Sequence, residues 1–251
     1  MTPSIVYDFH KHRIGDTIGA AYCLDVHHLL TAGKDAIGII NRGAIDICRW
    51  FPWLADHAVA EPPPEWADVP RYPLGNIWIT APTVKQAHGV PPRMAVPLDD
   101  SHWDVALHCL EDADYNTGRN HTPAQFDELE RWLNWHGKKV YRVPSRDGPL
   151  PATVDDILAE IGRAKIYIGG DTGFSHAFAA MHPDRPLIAI YGDDWSDAVG
   201  FEEERARMNC PHRWCSDPLS FRLYKRIMTD HRFDERQVKA LLEKLLQLPP
   251  P

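Results

Sequence analysis

The chain reads as an α/β protein built on parallel, doubly wound sheets, and three observations carry that reading. Short apolar runs alternate with helical segments as β-α-β-α-β-α-β from residue 103 to residue 190. Within that stretch an apolar run breaks at Gly169 and Gly170, and a glycine- and hydroxyl-bearing turn then leads into an Ala-rich helix start. A second apolar run, PLIAIYGD at residues 186–193, follows about one crossover later and again ends in Gly and an acid. That is the pattern of a βαβ unit whose ligand edge lies at the strand C-termini.

Taken in order, residues 5–9 (IVYDF) form the first strand, and the turn at residues 12–19 runs into a helix that continues to residue 30. A strand follows at 36–40, then a helical or irregular stretch to Trp53. Residues 61–97 are rich in proline, with EPPP at 61–64 and VPP at 90–92. Proline has no N–H to give a ladder or a helix, so most of this segment is expected to be loop, with one strand at 76–80. An interdomain connection is placed at 96–101. The second half restarts with a strand at 103–110 and a polar loop at 111–121. A helix then opens with Thr122 as N-cap and Pro123 at its first position and runs to Trp135. Residues 139–143 form a strand, and residues 153–163 a helix capped by Thr153 with acids in its first turn. The acidic patch at 202–204, a loop at 210–218 and two helices, the last at 234–246, complete the chain.

Composition narrows the function classes. At 251 residues there is room for one large domain or two compact ones, since domains usually run ~100–200 residues. A net charge of −8 and a pI near 5.9 argue against broad coating of nucleic acid, which needs a positive footprint. Five cysteines without regular spacing fit a reducing compartment. No basic segment followed by an apolar stretch opens the chain, and no apolar run approaches the ~20 residues that span a bilayer. A cytoplasmic protein without a transmembrane segment is expected. Nine tryptophans are present, and Trp50, Trp53, Trp66 and Trp195 sit in Pro-rich or polar surroundings where a flat ring suits a sugar or base. Core filling and loop anchoring are the simpler role for each.

The turn at residues 169–176 has the anatomy of an anion site. Its glycines admit close approach of backbone to a ligand, and the following helix directs unpaired N–H groups and its positive dipole end at it. The alternative is an ordinary strand–turn–helix junction in which Asp171 or Thr172 caps the helix. Over residues 157–194, with AKIYIGGDTGFSHAFAAMHPDRPLIAIYG, the chain resembles the C-terminal signature of the ADP-heptose:lipopolysaccharide heptosyltransferase family, glycosyltransferase family 9. That family places Asp-Thr-Gly-x-x-His and an Ala-rich helix start between two such strands. A first strand leading into Gly15-Asp16 and a helix is a second landmark in family order.

The resemblance implies a B-type glycosyltransferase fold, two Rossmann-like domains facing a cleft. Residues 1–98 would be a reduced, acceptor-side N-terminal domain, and residues 99–251 the nucleotide-sugar-binding domain with its terminal helices. It also implies roles. Thr172 and Gly173 would contact the donor phosphates, with Gly170 and Asp171 beside them in the donor site and His176 close by. Apart from the resemblance, Asp193 and Asp194, after the last sheet strand, are placed to order a ribose or sugar hydroxyl, or as a carboxylate pair to bind a divalent ion. Asp16 would be the catalytic base, although local sequence alone suits it equally to capping the helix near residue 17. Arg119 would grip the diphosphate where the family carries a Lys before an aromatic-Pro pair; as a solvated loop side chain it would do nothing. Arg13, close to Asp16 in sequence, is placed to hold it ionised or to bind an anionic acceptor; as a surface side chain it would do neither.

The implied activity is transfer of a sugar from a nucleotide-diphosphate sugar to an acceptor hydroxyl, inverting and metal-independent, with no cofactor beyond the donor substrate. The alternatives are transfer to a modified DNA base or a protein, or a nucleotide-sugar-binding module without catalysis. The acidic balance weighs against the nucleic-acid partner. Cys210-Pro211-His212-Arg213-Trp214-Cys215 brings two thiols and an imidazole together, but no second cysteine pair completes a tetrahedral zinc site, so no metal is expected.

Overall fold

The computed structural model describes residues 2–8, 37–40, 48–50, 56–73, 102–109, 122–144, 153–170, 172–182, 185–189 and 235–247. These form two four-stranded sheets, and every strand pair in them is parallel.

The first sheet holds β1 (Ile5–Asp8), β2 (Ile37–Ile40), β3 (Ala58–Val59) and β4 (Arg71–Pro73) in the order β3-β2-β1-β4. Val6 is fully buried with Trp66, and Val59 and Val69 pack against the pair, so Trp66 fills a small core. The strand β4 lies inside the proline-rich segment expected to be mostly loop. It survives there because it is an edge strand paired only with β1. Pro70 has no N–H to donate, yet its carbonyl accepts the Val6 N–H at 3.0 Å. The expected strand at 76–80, the helix at 17–30 and the domain boundary at 98/99 lie outside the described residues.

The second sheet comprises β5 (Trp103–His108), β6 (Val140–Arg142), β7 (Ala164–Gly169) and β8 (Leu187–Ala189) in the order β6-β5-β7-β8. Between them run α1 (Pro123–Trp135), α2 (Val154–Gly162) and α3 (Gly173–Met181), and α4 (Glu235–Leu245) follows later. The alternation read from sequence is thus present strand by strand.

Period-two alternation assigns the faces of this sheet. Val105 and Leu107 of β5 with Ile166 and Ile168 of β7 meet Phe126, Leu129 and Leu133 of α1 and Val238, Leu241 and Leu242 of α4 in one core. Tyr167, between those two isoleucines, points to the opposite face, where its ring stacks on Phe178 of α3 with centroids 5.6 Å apart. Burying aliphatic side chains of this size contributes about 1.5–3 kcal/mol each relative to exposure. Helices therefore cover both faces of a parallel sheet, as its apolar strands require.

Local signals set the helix ends. Thr153 forms a capping box with Asp156: the Asp156 N–H donates to Thr153 Oγ1 at 3.2 Å, and the Thr153 N–H donates to Asp156 Oδ2 at 2.9 Å. The Thr153 hydroxyl, donating to Asp156 Oδ2 at 2.8 Å, and then the Thr153 N–H hold the Asp156 carboxyl below its ordinary pKa. Thr122 stands at the N-cap of α1 as expected, but its side chain makes no capping bond; Pro123 starts the helix. Gly137, at φ +68°, closes α1, with its N–H on Asn134 O and the Lys138 N–H on Leu133 O.

Candidate functional site

Strand order locates the site. From β5 the chain crosses to β6 on one side and then to β7 on the other, so the direction of winding reverses between β5 and β7. Ligands of open α/β sheets sit beyond the strand C-termini at such a switch point. Here the two strands end in register at His108 and Gly169.

The end of β7 is tightly packed around a glycine. A Cβ at Gly169 would lie 3.0 Å from His108 Cβ, from the His108 carbonyl oxygen and from the Tyr167 hydroxyl. Gly170 is buried next to it. The chain then turns into α3 with Thr172 in extended conformation at the N-cap and Gly173 at the first helical position, both half-buried. The Thr172 N–H donates to Ser175 Oγ at 3.1 Å, and the Ser175 hydroxyl donates to the Thr172 carbonyl at 2.7 Å. This lock fixes the first turn, leaving the leading N–H groups of α3 directed past the edge of the sheet.

Beneath the turn lies a polar group that sequence reasoning missed. His108 is 6% exposed, and its Nδ1 is 2.9 Å from the Tyr167 hydroxyl and 3.3 Å from Thr172 Oγ1. Phe174 of α3 meets the imidazole edge-on, centroids 5.4 Å apart. The available signal was positional: a histidine ending an apolar strand on the ligand edge of a parallel sheet.

Of the residues singled out in the sequence, Gly170, Thr172 and Gly173 come together at this edge, and the backbone of His176 lies in the first turn of α3. Arg13, Asp16, Arg119, Asp171 and Asp193 lie outside the described residues. Trp50 is a loop anchor, its indole N–H donating to Asp155 Oδ1 at 3.0 Å. Trp53 and Trp195 lie outside the described residues. Among the described residues no group of three or more His, Cys, Asp or Glu is arranged to hold a metal ion, and the segment from Cys210 to Cys215 lies outside them.

Two four-stranded parallel sheets in one chain are the architecture of a B-type glycosyltransferase fold, which the chain shares with solved structures. The chain superposes on the dodecameric, iron-containing glycosyltransferase TibC of enterotoxigenic E. coli H10407 with a TM-score of 0.62 and 13% identity, over 98% of this chain and 79% of that one. A complex of TibC with ADP-D-β-D-heptose matches with a TM-score of 0.58 and 13% identity, over 97% and 77%. The E. coli heptosyltransferase WaaC with ADP-2-deoxy-2-fluoro heptose matches with a TM-score of 0.50 and 14% identity, over 90% and 99%. The resemblance to heptosyltransferases read from residues 157–194 therefore extends to the fold of the whole chain. No family model and no curated protein sequence matches it. Among the described residues no helix is long and apolar enough to cross a membrane.

Proposed function

We propose that this protein is a glycosyltransferase that moves a sugar from a nucleotide-diphosphate sugar to an acceptor hydroxyl. The observation that carries the reading is the turn from Gly169 to Gly173 at the β5–β7 switch point, with the N-terminus of α3 immediately behind it. Cleaving the anomeric C–O bond leaves charge on the departing diphosphate, and a fixed array of N–H donors with a helix dipole stabilises that charge as it develops. The Thr172 hydroxyl and the amides of Gly173 and Phe174 supply such donors. The fold shared with structures that hold ADP-heptose and its fluoro analogue supports a donor of the same chemical class.

The roles of Asp16, Arg119, Asp171 and His176 follow the motif resemblance, and those of Asp193 and Arg13 follow their places in the sequence. Asp16 takes the proton from the acceptor hydroxyl as its oxygen bonds to the anomeric carbon, and the diphosphate leaves from the opposite face, inverting that centre. Arg119 neutralises the diphosphate bidentately, with Asp171 and His176 flanking it. Asp193 orders a donor hydroxyl, and Arg13 steadies the Asp16 carboxylate or an anionic acceptor. We assign no step to a metal, and the reaction is placed in the cytoplasm.

Asp16→Asn provides the test, because it keeps the side chain's shape and removes the base. Donor binding should stay within about threefold of wild type while turnover falls by roughly two to four orders of magnitude. Turnover should also survive exhaustive treatment with EDTA. Equal turnover in wild type and variant would remove Asp16 from the chemistry, and binding without turnover in the wild type would leave a nucleotide-sugar-binding module.

A further inference from the structure

The proposed mechanism makes no use of His108, although it is buried directly under the turn assigned to the diphosphate. Its contacts are specific. One ring nitrogen, Nδ1, faces both the Tyr167 hydroxyl at 2.9 Å and Thr172 Oγ1 at 3.3 Å, while Phe174 packs on the ring edge. Tyr167 is itself fully buried and held by its stack on Phe178. On the other side, Gly169 allows the His108 backbone and side chain to approach β7 as closely as they do. A partly exposed hydroxyl at a ligand edge thus rests on a rigid buried imidazole.

The proton on that ring decides what Thr172 can offer. If Nδ1 is bare, it accepts one hydroxyl hydrogen, from Tyr167 or from Thr172, and the Thr172 hydrogen is free to turn inward. If Nδ1 carries hydrogen, it donates between the Tyr167 and Thr172 oxygens, and the single Thr172 hydrogen is left to point outward at an anion. Only the second arrangement keeps the Thr172 hydrogen turned outward. Resting on the reading of this turn as the donor-diphosphate site, we infer that His108 is a positioning residue whose Nδ1–H, shared between the Tyr167 and Thr172 oxygens, keeps the Thr172 hydroxyl hydrogen directed at a phosphate oxygen of the donor. The substrate touches Thr172, and His108 acts through it.

The test measures binding of pyrophosphate and of ADP to wild type, Thr172→Val, His108→Leu, His108→Asn and the Thr172→Val, His108→Leu pair, with ¹⁵N spectra of the histidine rings. Leucine fills the space without a polar atom, whereas the asparagine amide stands as many bonds from Cα as Nδ1 and can donate. Pyrophosphate should bind His108→Leu about tenfold more weakly and His108→Asn within about threefold of wild type, the loss expected for one hydrogen bond to a charged group. The double variant should bind no more weakly than Thr172→Val alone, since both changes remove the same contact. In wild type, pyrophosphate should shift the His108 ring toward the form with hydrogen on Nδ1. A purely structural histidine would give additive losses, no rescue by Asn and an unchanged ring spectrum, and any of these overturns the proposal. Should His108→Leu fail to fold, Tyr167→Phe removes the competing acceptor and leaves the Nδ1 hydrogen to Thr172. It should bind pyrophosphate at least as tightly as wild type and move the ring signal, and weaker binding or an unmoved signal overturns the proposal. If Thr172→Val weakens binding and His108→Leu does not, the phosphate site stands and only the role of His108 falls. If wild type binds neither probe, the site itself is wrong and the role of His108 falls with it.

Discussion

Trp50 and Asp155, 105 residues apart in sequence, are joined by an indole N–H donating to a carboxylate oxygen at 3.0 Å. Arg49 pairs with the other oxygen of the same carboxylate and lies 5.1 Å over the Trp50 ring. One acid in the first turn of α2 thereby ties the segment after β2 to the helical layer of the second sheet. Asp155→Ala should cut both ties and shift Trp50 emission, with a stability loss below about 1 kcal/mol because the Arg49 side chain is 54% exposed. The emission change should vanish when the same substitution is made on a Trp50→Phe background. An equal change on that background would place the signal at another tryptophan.

Gly169 leaves little room for a side chain. The atoms that a Cβ would meet at 3.0 Å include backbone and a buried phenol, neither of which can swing away. Gly169→Ala should destabilise the protein by about 1–3 kcal/mol. It should also weaken donor binding, because any relief moves His108 or the turn into α3. Urea unfolding alongside nucleotide titration checks both, and an unaltered midpoint would mean the strand ends are looser than described.

Asp104 gives the second sheet an acid-sensitive contact. Burial pushes its pKa up, but the Lys165 ammonium at 2.7 Å, the Lys139 N–H at 2.9 Å and the charge of Lys138 outweigh burial and hold it below the ordinary 3.8. With the folded value below the unfolded one, this contribution is fully present above about pH 4 and is lost as pH falls through the folded value. Asp104→Asn should therefore be less stable than wild type at pH 7, with the gap narrowing toward pH 3. Unfolding midpoints at both pH values decide it. A gap that stays constant with pH would assign the loss to packing instead.

Much of the second sheet was legible because its determinants are local. The apolar runs of β5 and β7, the Thr153 capping box and the Gly169-Gly170 break each announce themselves within a few residues. β4 was not legible, since its parallel pairing with β1 depends on residues far away in sequence and its prolines argue for loop. The turn at Thr172 was recognised for the same local reasons as β7. His108 was missed because its meaning comes from register: only the pairing of β5 with β7 sets it opposite Gly169 and under Thr172. Asp155 was read as a dipole-complementing acid, and the structure adds partners from residues 49 and 50 that no local pattern contains.

The central claim is that the turn into α3 holds a donor diphosphate. A thermal-shift panel of ADP-, GDP-, UDP-, CMP- and dTDP-sugars, run on wild type and on a Thr172→Val, Arg119→Ala double variant, tests it most directly. Ligand bound at one hundred times its Kd raises folding stability by about 2.7 kcal/mol through mass action. One nucleotide class should raise the wild-type melting temperature and leave the double variant unmoved. An equal rise in both proteins, or no rise with any nucleotide sugar, would contradict it.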